Sequence, residues 1–403
     1  MMKACVIAYS FYELDQRVRR YAEALAARGD SVDVLTLKGE RQGDTDVIDG
    51  VHVYRIQKRD HNEKGMMDYF LRISKFFLKG SYLLVKNHFK RRYDVIHINS
   101  VPDYLVFMGL IPKIFGSKII LDIHDLMPEF FSQKFNKGME SFYIKILLFL
   151  EYISVKFADH NIIANDIWRE KMILRDHLDP GKCTTLLNYP DMAYYEKVVR
   201  QGINGTINIV YPGTISHHHG IDIAIQAIPF IKKNGVKVKL RIYGKNTKNR
   251  YNDHLQSLMK ELDVADDVEF LEPVHREELY RIYSRSDIGI VPKRDGVFSG
   301  EAFSTKIYDF MASGLPVVAS RTKIDEYYFD DSMISFFEPG NYEEMAKRVV
   351  DVYADQKKAG EMVDKCKRYI DDNTWMKKKS MYTTVVDRLN RVGSREEPSM
   401  IRS

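Results

Sequence analysis

The 403-residue sequence contains little cysteine and no long apolar run. Its three cysteines, Cys5, Cys183 and Cys366, lie far apart and match the spacing of neither a disulfide framework nor a metal site. Such sparse use indicates a reducing compartment. No run of about 18 apolar residues occurs, so the sequence predicts no membrane-spanning helix. The first residues turn polar too quickly for a signal peptide, and a cytoplasmic location is expected.

A strong net charge and any recognised nucleic-acid-binding motif are also absent, so we expect no nucleic-acid partner. The net charge is only +5, but between Tyr69 and Tyr93 there are seven Lys or Arg residues and no acid. Such a segment predicts a basic amphipathic helix, which either lies on the anionic inner face of a membrane or packs on the core with a solvated basic face. The cations that share one face of this helix are Arg72, Lys75, Lys79, Lys86 and Lys90.

The first loop lacks the glycine-rich G-x-G-x-x-G pattern, which argues against an ordinary dinucleotide-binding Rossmann site. It nevertheless joins a strand ending near Ser10 to a helix predicted over 19–28, and a second strand follows at 31–37. This strand–helix–strand order predicts a parallel α/β sheet. In the loop, Arg17 is placed either to reach an anion or to pair with Asp15.

The length exceeds that of a single core and predicts two domains. The polar, glycine-bearing segment 201–206 is the expected linker between them. We expect an N-terminal domain over residues 1–200, a second domain over 206–372 and a closing helix over 373–392. The tail 393–403 is predicted to be disordered.

One strand of the first half ends in titratable groups. The apolar run from Lys118 leads into Asp122, His124 and Asp125, and Glu129 follows Pro128. Functional groups of open α/β sheets lie at the carboxyl ends of strands, so this is a candidate site. His124 suits a hydrogen bond to a substrate or acid–base work, or is held by its Asp neighbours for structural reasons. Glu129 either faces the same site or only begins the next helix.

The strand–helix pattern restarts at Ile207. This strand ends at Gly213 and Thr214 and leads through three consecutive histidines to a helix from Ile221. Adjacent histidines do not easily face one ion, so a phosphate-facing loop is expected here rather than a zinc site. The next strand ends at Gly244 and Lys245.

The segment 297–320 combines two carboxylates with the start of a helix. Glu301 is expected in the loop before the helix, and Asp309 about two turns into it. Gly314 and Pro316 are helix-stop signals, and a short β-branched strand follows. The free N–H groups of such a helix start suit a phosphate.

Together these segments resemble glycosyltransferase family 4, the retaining type with the GT-B fold. Residues 301–309 resemble the family's E-x7-E motif with Asp at the second acidic position, and 310–319 resemble the segment after it. Residues 121–129 resemble the acceptor-side His loop, and Trp375 begins a helix like the family's terminal helix. The resemblance covers residues 3–390. It implies two Rossmann-like α/β domains facing across a cleft, with the last helix crossing back to the first domain.

The resemblance implies transfer of a sugar from a nucleotide diphosphate donor, a UDP- or GDP-sugar, to an acceptor hydroxyl with retention. Glu301 would bind the donor sugar, Asp309 the ribose, and His124 would act on the acceptor side with Asp122, Asp125 and Glu129. The remaining implied donor contacts are Ala302, Phe303, Ser304, Thr305, Gly213, Thr214, His219, Gly244, Lys245 and Arg17. No cofactor or metal is implied.

The family's Arg and Lys clamp on the diphosphate is missing, since Thr214 or its neighbours and His219 stand in those positions. Lys306 is the first candidate to replace it in catalysis, with Lys245 and Arg17 as alternatives. The acceptor is expected to be a glycan or lipid-linked glycan of a cell-surface polysaccharide pathway. An epimerase of the same fold and a non-catalytic nucleotide-sugar-binding subunit remain alternatives.

Overall fold

The computed structural model describes residues 1–59, 66–192, 195, 205–245 and 250–395. It divides into two compact units. Unit 1 contains Met1–Asn188 and the chain from Lys379 onward, and unit 2 contains Tyr189–Lys378. The core of the predicted linker, 201–204, and the end of the predicted tail, 396–403, lie outside the described residues.

Unit 1 is built on an eight-stranded sheet, counted over the described residues. Its strands are β1 Lys3–Ile7, β2 Ser31–Lys38, β3 Thr45–Ile48, β4 Val51–Lys58, β5 Val95–Asn99, β6 Lys118–Ile123, β7 His160–Ile163 and β8 Cys183–Thr185. They lie in the order β3-β4-β2-β1-β5-β6-β7-β8. All neighbours are parallel except β3 and β4, as the alternation of strands and helices predicts.

The β3–β4 hairpin was not among the predicted elements. Its turn is Asp49-Gly50, and both residues have positive φ, 48° and 79°. This is the geometry that two-residue hairpin turns require, and an Asp-Gly pair is its usual sequence signal. Along β4 the residues alternate, with Val51 and Val53 buried and His52 exposed.

The helices of unit 1 connect these strands. They are α1 Gln16–Ala26, α2 Met66–Arg91, α3 Leu110–Ile114, α4 Met127–Phe135, α5 Phe142–Phe157, α6 Asp166–Arg175 and, from Lys379 onward, the greater part of α14 Trp375–Arg395. The first helix begins earlier than the predicted residue 19, because the Asp15 carboxylate accepts a hydrogen bond from the Val18 N–H and caps the helix there. Arg17 therefore lies in a helix, not in a loop.

From Lys379 onward α14 packs within unit 1, as the resemblance implied. The Tyr382 ring lies 4.4 Å from the Tyr21 ring of α1, and its hydroxyl is 3.0 Å from Nδ1 of the buried His97. Arg388 of the same helix contacts His160 at the start of β7.

Unit 2 contains a six-stranded sheet in the order β11-β10-β9-β12-β13-β14, again over the described residues, with every pair parallel. Its strands are β9 Thr206–Pro212, β10 Lys237–Tyr243, β11 Val268–Leu271, β12 Ile288–Val291, β13 Val317–Ser320 and β14 Ser335–Phe337. Its helices are α7 Ile221–Lys233, α8 Arg250–Glu261, α9 Arg276–Ser284, α10 Thr305–Ala312, α11 Lys323–Tyr328, α12 Tyr342–Ala354 and α13 Gln356–Asp372.

Buried aliphatic side chains of α7, α12 and strands β9, β10 and β12 form the core of unit 2. In the order of this sheet, β9 lies between β10 and β12. A parallel α/β sheet offers its carboxyl-end loops for ligand binding where neighbouring connections diverge. Here those are the loops after β9, β10 and β12.

Candidate active site

Two cavities open in unit 2 at the carboxyl ends of its strands. The larger, of about 700 Å³, and the smaller, of about 120 Å³, share His219, Thr305 and Lys306 in their walls. Every predicted donor-side residue of unit 2 except Glu301 lines one of them. The larger cavity is lined by Gly213, Thr214, Gly244, Lys245 and Asp309, and the smaller by Ala302, Phe303 and Ser304.

The floor of the larger cavity is formed where β9 and β10 end. The Gly213 N–H donates to the Tyr243 carbonyl at 2.8 Å, so the two strand ends stay paired one residue beyond the strands. A Cβ on Gly244 would overlap the Gly213 carbonyl oxygen. Gly213 itself has a φ of 135°, and a Cβ there would come within 2.7 Å of Lys306 Cε. Glycine is therefore required at both positions.

Helix α10 begins at Thr305, after a loop that carries Glu301 and Ala302. Ser304 stands at the cap position with extended backbone and makes no side-chain capping bond. Thr305 and Lys306, the first residues of the helix, line both cavities. The helix start thus presents backbone donors and a partial positive charge toward the cavities, as a phosphate requires. Asp309 lies one turn into the helix rather than two, because the helix begins at Thr305.

Lys306 is the cation at the wall between the two cavities. Its Nζ lies 5.2 Å from the centroid of the Tyr211 ring. Burial, together with the nearby Lys293, lowers the pKa of Lys306 to about 8, while Asp309 acts in the opposite direction. A partly desolvated ammonium in the wall of an anion-sized cavity is stabilised by an anion bound there.

His219 faces both cavities as a neutral group. Burial, reinforced by Lys306 and His218, lowers the pKa of His219 to about 2. Its Nδ1 lies 2.8 Å from the Thr214 carbonyl oxygen, which can only accept, so Nδ1 carries the proton and Nε2 is an acceptor. His219 therefore suits a hydroxyl of a sugar better than a phosphate, and it cannot supply the positive charge of the missing clamp.

Lys293, which was not among the predicted site residues, lines the smaller cavity and holds the Glu301 loop. It directly follows Pro292 at the end of β12, and its buried Nζ donates to the Ala302 carbonyl at 2.8 Å. The same Nζ pairs at 2.9 Å with the fully buried Asp325, which also accepts from the Thr322 hydroxyl. The sequence signal that could have identified Lys293 is its position, just after the carboxyl end of a parallel strand.

Glu301 and Asp309 already have protein partners in the structure. The Glu301 carboxylate accepts a hydrogen bond from Lys323 Nζ at 2.9 Å, and that lysine is largely exposed. Asp309 accepts from the Tyr195 hydroxyl. Glu301 lies beside the cavities rather than in their described walls, whereas Asp309 lines the larger one.

The predicted acceptor-side residues lie in unit 1, at the end of β6, in the loop after it and in α4. Asp122 is fully buried and accepts two hydrogen bonds of 2.7 Å from Arg17, through Nε and Nη2. The Arg17 Nη1 donates to the Leu186 carbonyl and the Asn188 side chain. Burial alone would raise the pKa of Asp122, but Arg17 and His124 outweigh it and hold the pKa well below its usual range. Arg17 thus pairs with Asp122 instead of Asp15.

His124 extends from this carboxylate. Its Nε2 lies 3.1 Å from Asp122 Oδ2, and its backbone N–H donates to the Ser100 hydroxyl at 3.2 Å. Because an ionised carboxylate only accepts, Nε2 carries the proton and Nδ1 is left as an acceptor. The half-buried ring is oriented by Asp122 as a base is oriented in an Asp–His pair.

Asp125 and Glu129 differ in their surroundings. Burial raises the pKa of Asp125, which follows His124 directly. Glu129 is buried in α4 and pairs with Arg175 at 2.7 Å. Arg175 also pairs with the buried Glu151 of α5. Because Arg175 of α6 pairs with both Glu129 of α4 and Glu151 of α5, these contacts give Glu129 a structural role.

Among the residues that the structure describes, no group of three or more His, Cys, Asp or Glu side chains is arranged to hold a metal ion, and metal independence stays a prediction. Over the same residues, no helix is both long and apolar enough to cross a bilayer.

Comparison with known families matches both halves of the chain. Residues 206–355 match the family described as glycosyl transferases group 1, and residues 14–188 match the glycosyl transferase 4-like domain. An uncharacterized glycosyltransferase of Methanocaldococcus jannaschii is 24% identical over 314 residues, with 74% of each chain covered. Spore coat protein SA of Bacillus subtilis is 23% identical over 330 residues, with 75% of each chain covered.

Solved structures share the fold over nearly the whole chain. Sucrose-phosphate synthase from Thermosynechococcus elongatus superposes with a TM-score of 0.79 at 17% identity, covering 97% of this chain and 100% of that one. HepE from Anabaena, solved in complex with UDP, superposes with a TM-score of 0.67 at 14% identity, covering 96% and 100%. With both sheets parallel and both family matches in order, the chain belongs to the family 4-like, group 1 glycosyltransferases and has the GT-B fold.

Proposed function

We propose that the enzyme transfers a sugar from a UDP- or GDP-sugar to an acceptor hydroxyl with retention at the anomeric carbon. The observation that carries this proposal is the pair of cavities in unit 2. Residues from the loops after β9, β10 and β12 converge there around the start of α10, and Lys306 lines both cavities. The larger cavity, of about 700 Å³, is of a size that accommodates a nucleotide-sized ligand.

The donor's diphosphate would lie at the start of α10, with Lys306 as its cation. Bond cleavage leaves negative charge on the departing diphosphate, and positive charge preorganised there lowers the barrier. Lys306 and the free N–H groups of Thr305 and its neighbours supply it. The Asp309 carboxylate in the larger cavity suits the paired ribose hydroxyls, for which a carboxylate is a good acceptor.

The sugar would lie on the side of Glu301 and Ala302, next to the smaller cavity. Glu301 would exchange its contact with the exposed Lys323 for donor hydroxyls, at little cost because an exposed ion pair contributes about 1 kcal/mol or less. His124 in unit 1, held by Asp122, would accept a proton from the acceptor hydroxyl through Nδ1. No protein nucleophile is assigned, since retention by a front-face route needs none.

The acceptor that we propose is a glycan or lipid-linked glycan of a cell-surface polysaccharide pathway, reached at the inner face of the membrane. The cations of α2 support a membrane contact. Lys75, Lys79, Lys86 and Lys90 are exposed, while Arg72 is half-buried and pairs with Asp68. The interpretation that this helix lies on a membrane surface therefore rests on four exposed lysines rather than on five cations.

A thermal-shift screen against UDP, GDP and ADP tests the donor assignment. A ligand that binds only the native state raises the melting temperature, so UDP or GDP should raise it and ADP should not. A response to none of the three would overturn the nucleotide site in unit 2. Conversion of a nucleotide sugar without any acceptor would instead indicate an epimerase.

The variant Glu301→Gln tests the role of the sugar-side carboxylate. It should retain the nucleotide-induced thermal shift and lose transfer, because Glu301 contacts the sugar and not the nucleotide. Glu343→Gln, a change of an exposed glutamate in α12, is the matched control and should transfer normally. Normal transfer by the Glu301 variant would contradict the assignment.

A further inference from the structure

Three helices of unit 1 cover the same face of its sheet. Helix α2 connects β4 to β5, α3 lies between β5 and β6, and α5 lies between β6 and β7, so each connection steps in the same direction across the sheet. Parallel connections are right-handed, which puts all three on one face. Helix α1 steps in the opposite direction, from β1 to β2, and lies on the other face.

Ring contacts show that these helices form a continuous layer. Phe77 of α2 lies 6.4 Å from Tyr104, in the 3-10 helix that precedes α3. In that same segment, Phe107 lies 5.1 Å from Phe157 at the end of α5. At the other end, Phe89 of α2 and Phe115, directly after α3, meet edge to face at 5.1 Å.

The outer surface of this layer is apolar to a degree that is unusual for a water-exposed helix surface. On α5 the rings of Phe142, Tyr143 and Phe149 are 72%, 74% and 61% exposed. Burying large apolar side chains is the main driving force of folding, so a contiguous exposed set marks a surface that binds a partner. The exposed large apolar side chains of the three helices are Phe70, Leu71, Leu78, Tyr82, Phe89, Leu110, Ile111, Ile114, Phe142, Tyr143, Ile146, Phe149 and Tyr152. We name this set, with the exposed lysines among it, the aromatic face.

The exposed charged side chains described on the three helices are all lysines. Among the side chains that the structure describes on α2, α3 and α5, every exposed one is apolar, aromatic or lysine. Besides the α2 lysines, α5 contributes Lys156 and Lys145, and the latter pairs at 3.1 Å with the exposed Glu140 that precedes the helix. Its acidic residue, Glu151, is fully buried against Arg175. A second copy would bring lysines against lysines across a two-fold axis, whereas an anionic bilayer complements both the charge and the apolar rings.

The aromatic face is continuous with the acceptor-side loop. Helix α4, which packs on α5, begins three residues after His124 and carries a ladder of Phe130, Phe131 and Phe135. The ring centroids of Phe130 and Phe131 are 5.8 Å apart, and those of Phe131 and Phe135 are 5.4 Å apart. A glycan carried on a lipid in that bilayer would therefore be delivered along α4 to His124.

We propose that the aromatic face docks unit 1 onto an anionic phospholipid bilayer. The aromatic rings of α5 insert at the boundary between headgroups and acyl chains, where interfacial helices bury their apolar face, and the lysines bind lipid phosphates. This inference rests on the membrane contact proposed above for α2 and extends it to insertion by α3 and α5. Vesicle binding needs neither donor nor acceptor, so it can fail while the transferase proposal stands.

The test is co-sedimentation of the full chain with vesicles of equal parts phosphatidylcholine and phosphatidylglycerol. The variant Phe142→Ser/Phe149→Ser should bind about tenfold or more weakly, since insertion strength scales with buried apolar area. The control Val47→Ser/Tyr327→Ser removes apolar side chains that are 60% and 51% exposed elsewhere, and it should bind like the natural chain. Both variants should keep their melting temperatures and nucleotide-induced thermal shifts.

Equal binding by the Phe142→Ser/Phe149→Ser variant and the natural chain would overturn insertion. Absence of vesicle binding by the natural chain, with a dimer on gel filtration that this variant dissociates, would assign the aromatic face to a second copy instead. If the natural chain does not bind the vesicles but still shows the nucleotide-induced thermal shift, docking alone is rejected. If the natural chain binds the vesicles but shows no nucleotide-induced thermal shift, the donor site alone is rejected.

Discussion

Replacing Lys306 by Gln should weaken the binding of the donor nucleotide and at the same time stabilise the unliganded protein. A hydrogen bond to a charged group contributes about 1.5–3 kcal/mol, and 1.4 kcal/mol corresponds to a factor of ten in Kd. We therefore expect Lys306→Gln to raise the Kd for UDP, or for GDP if the screen selects it, by about ten- to a hundredfold at pH 7. Isothermal titration calorimetry measures this change, and Lys347→Gln, on the exposed surface of α12, is the control.

The stabilisation follows from the sign of the pKa shift. The folded-state pKa of Lys306, about 8, is lower than its ordinary value of 10.5, so protonation favours the unfolded chain. The charged Lys306 lowers the free energy of unfolding by the full amount below pH 8, and this cost disappears as the pH rises toward 10.5, the ordinary pKa of lysine. The shift corresponds to about 3 kcal/mol, an upper bound for a half-buried side chain, and a gain of about 1–2 kcal/mol is expected at pH 7. Denaturant unfolding at pH 7 measures the gain, which should vanish near the ordinary pKa.

The pH dependence of nucleotide binding gives an independent measurement. The diphosphate raises the pKa of Lys306, so the affinity of the natural enzyme should fall about tenfold per pH unit above pH 8, until the pKa of the complex is reached. The Lys306→Gln variant should show no such fall. Unchanged affinity at pH 7, or an equal pH slope in the variant, would refute the assignment of Lys306 as the diphosphate cation.

Three further changes test the framework of the two units. Gly244→Ala should abolish the nucleotide-induced thermal shift, because the new Cβ overlaps the Gly213 carbonyl oxygen; a normal shift would contradict this. Lys293→Met should lower the free energy of unfolding by about 3–5 kcal/mol in denaturant melts, because it leaves the Asp325 charge buried without its partner. A loss below about 1 kcal/mol would show that the pair is not needed. Tyr382→Phe should cost about 1 kcal/mol through the lost contact with buried His97, and an unchanged melting temperature would argue against it.

Much of the fold could be predicted because its signals are local. The alternation of apolar strands and helices predicted parallel sheets in both halves, and Gly314, with a φ of 67°, ends α10 where its position predicted. The missed β3–β4 hairpin also had a local signal, the Asp49-Gly50 pair. The early start of α1 depends on the Asp15 carboxylate turning back to the Val18 N–H, a capping bond that the sequence permits without requiring.

The candidate site was predictable as a set of residues but not as a set of contacts. The motif around Glu301 and the strand ends after β9 and β10 indicated which residues would converge. The partners of those residues come from distant segments. Tyr195 donates to Asp309 and Lys323 to Glu301, and neither followed from the spacing of the motif. Titration with the nucleotide sugar, compared with the nucleotide alone, measures whether they compete with a donor for these carboxylates.

The sequence by itself determined the succession of strands and helices, the glycines at the strand ends and the candidate carboxylates, because these depend on residues close together in the chain. Only the tertiary structure decided the electrostatics. Burial and the neighbouring Lys293 lower the pKa of Lys306, and burial with Lys306 lowers the pKa of His219 so that its ring is neutral. Charge state depends on desolvation and on neighbours in space, and neither is encoded in local spacing. The tertiary structure also decided that Phe142 and Phe149 are exposed, although apolar side chains such as theirs are usually buried.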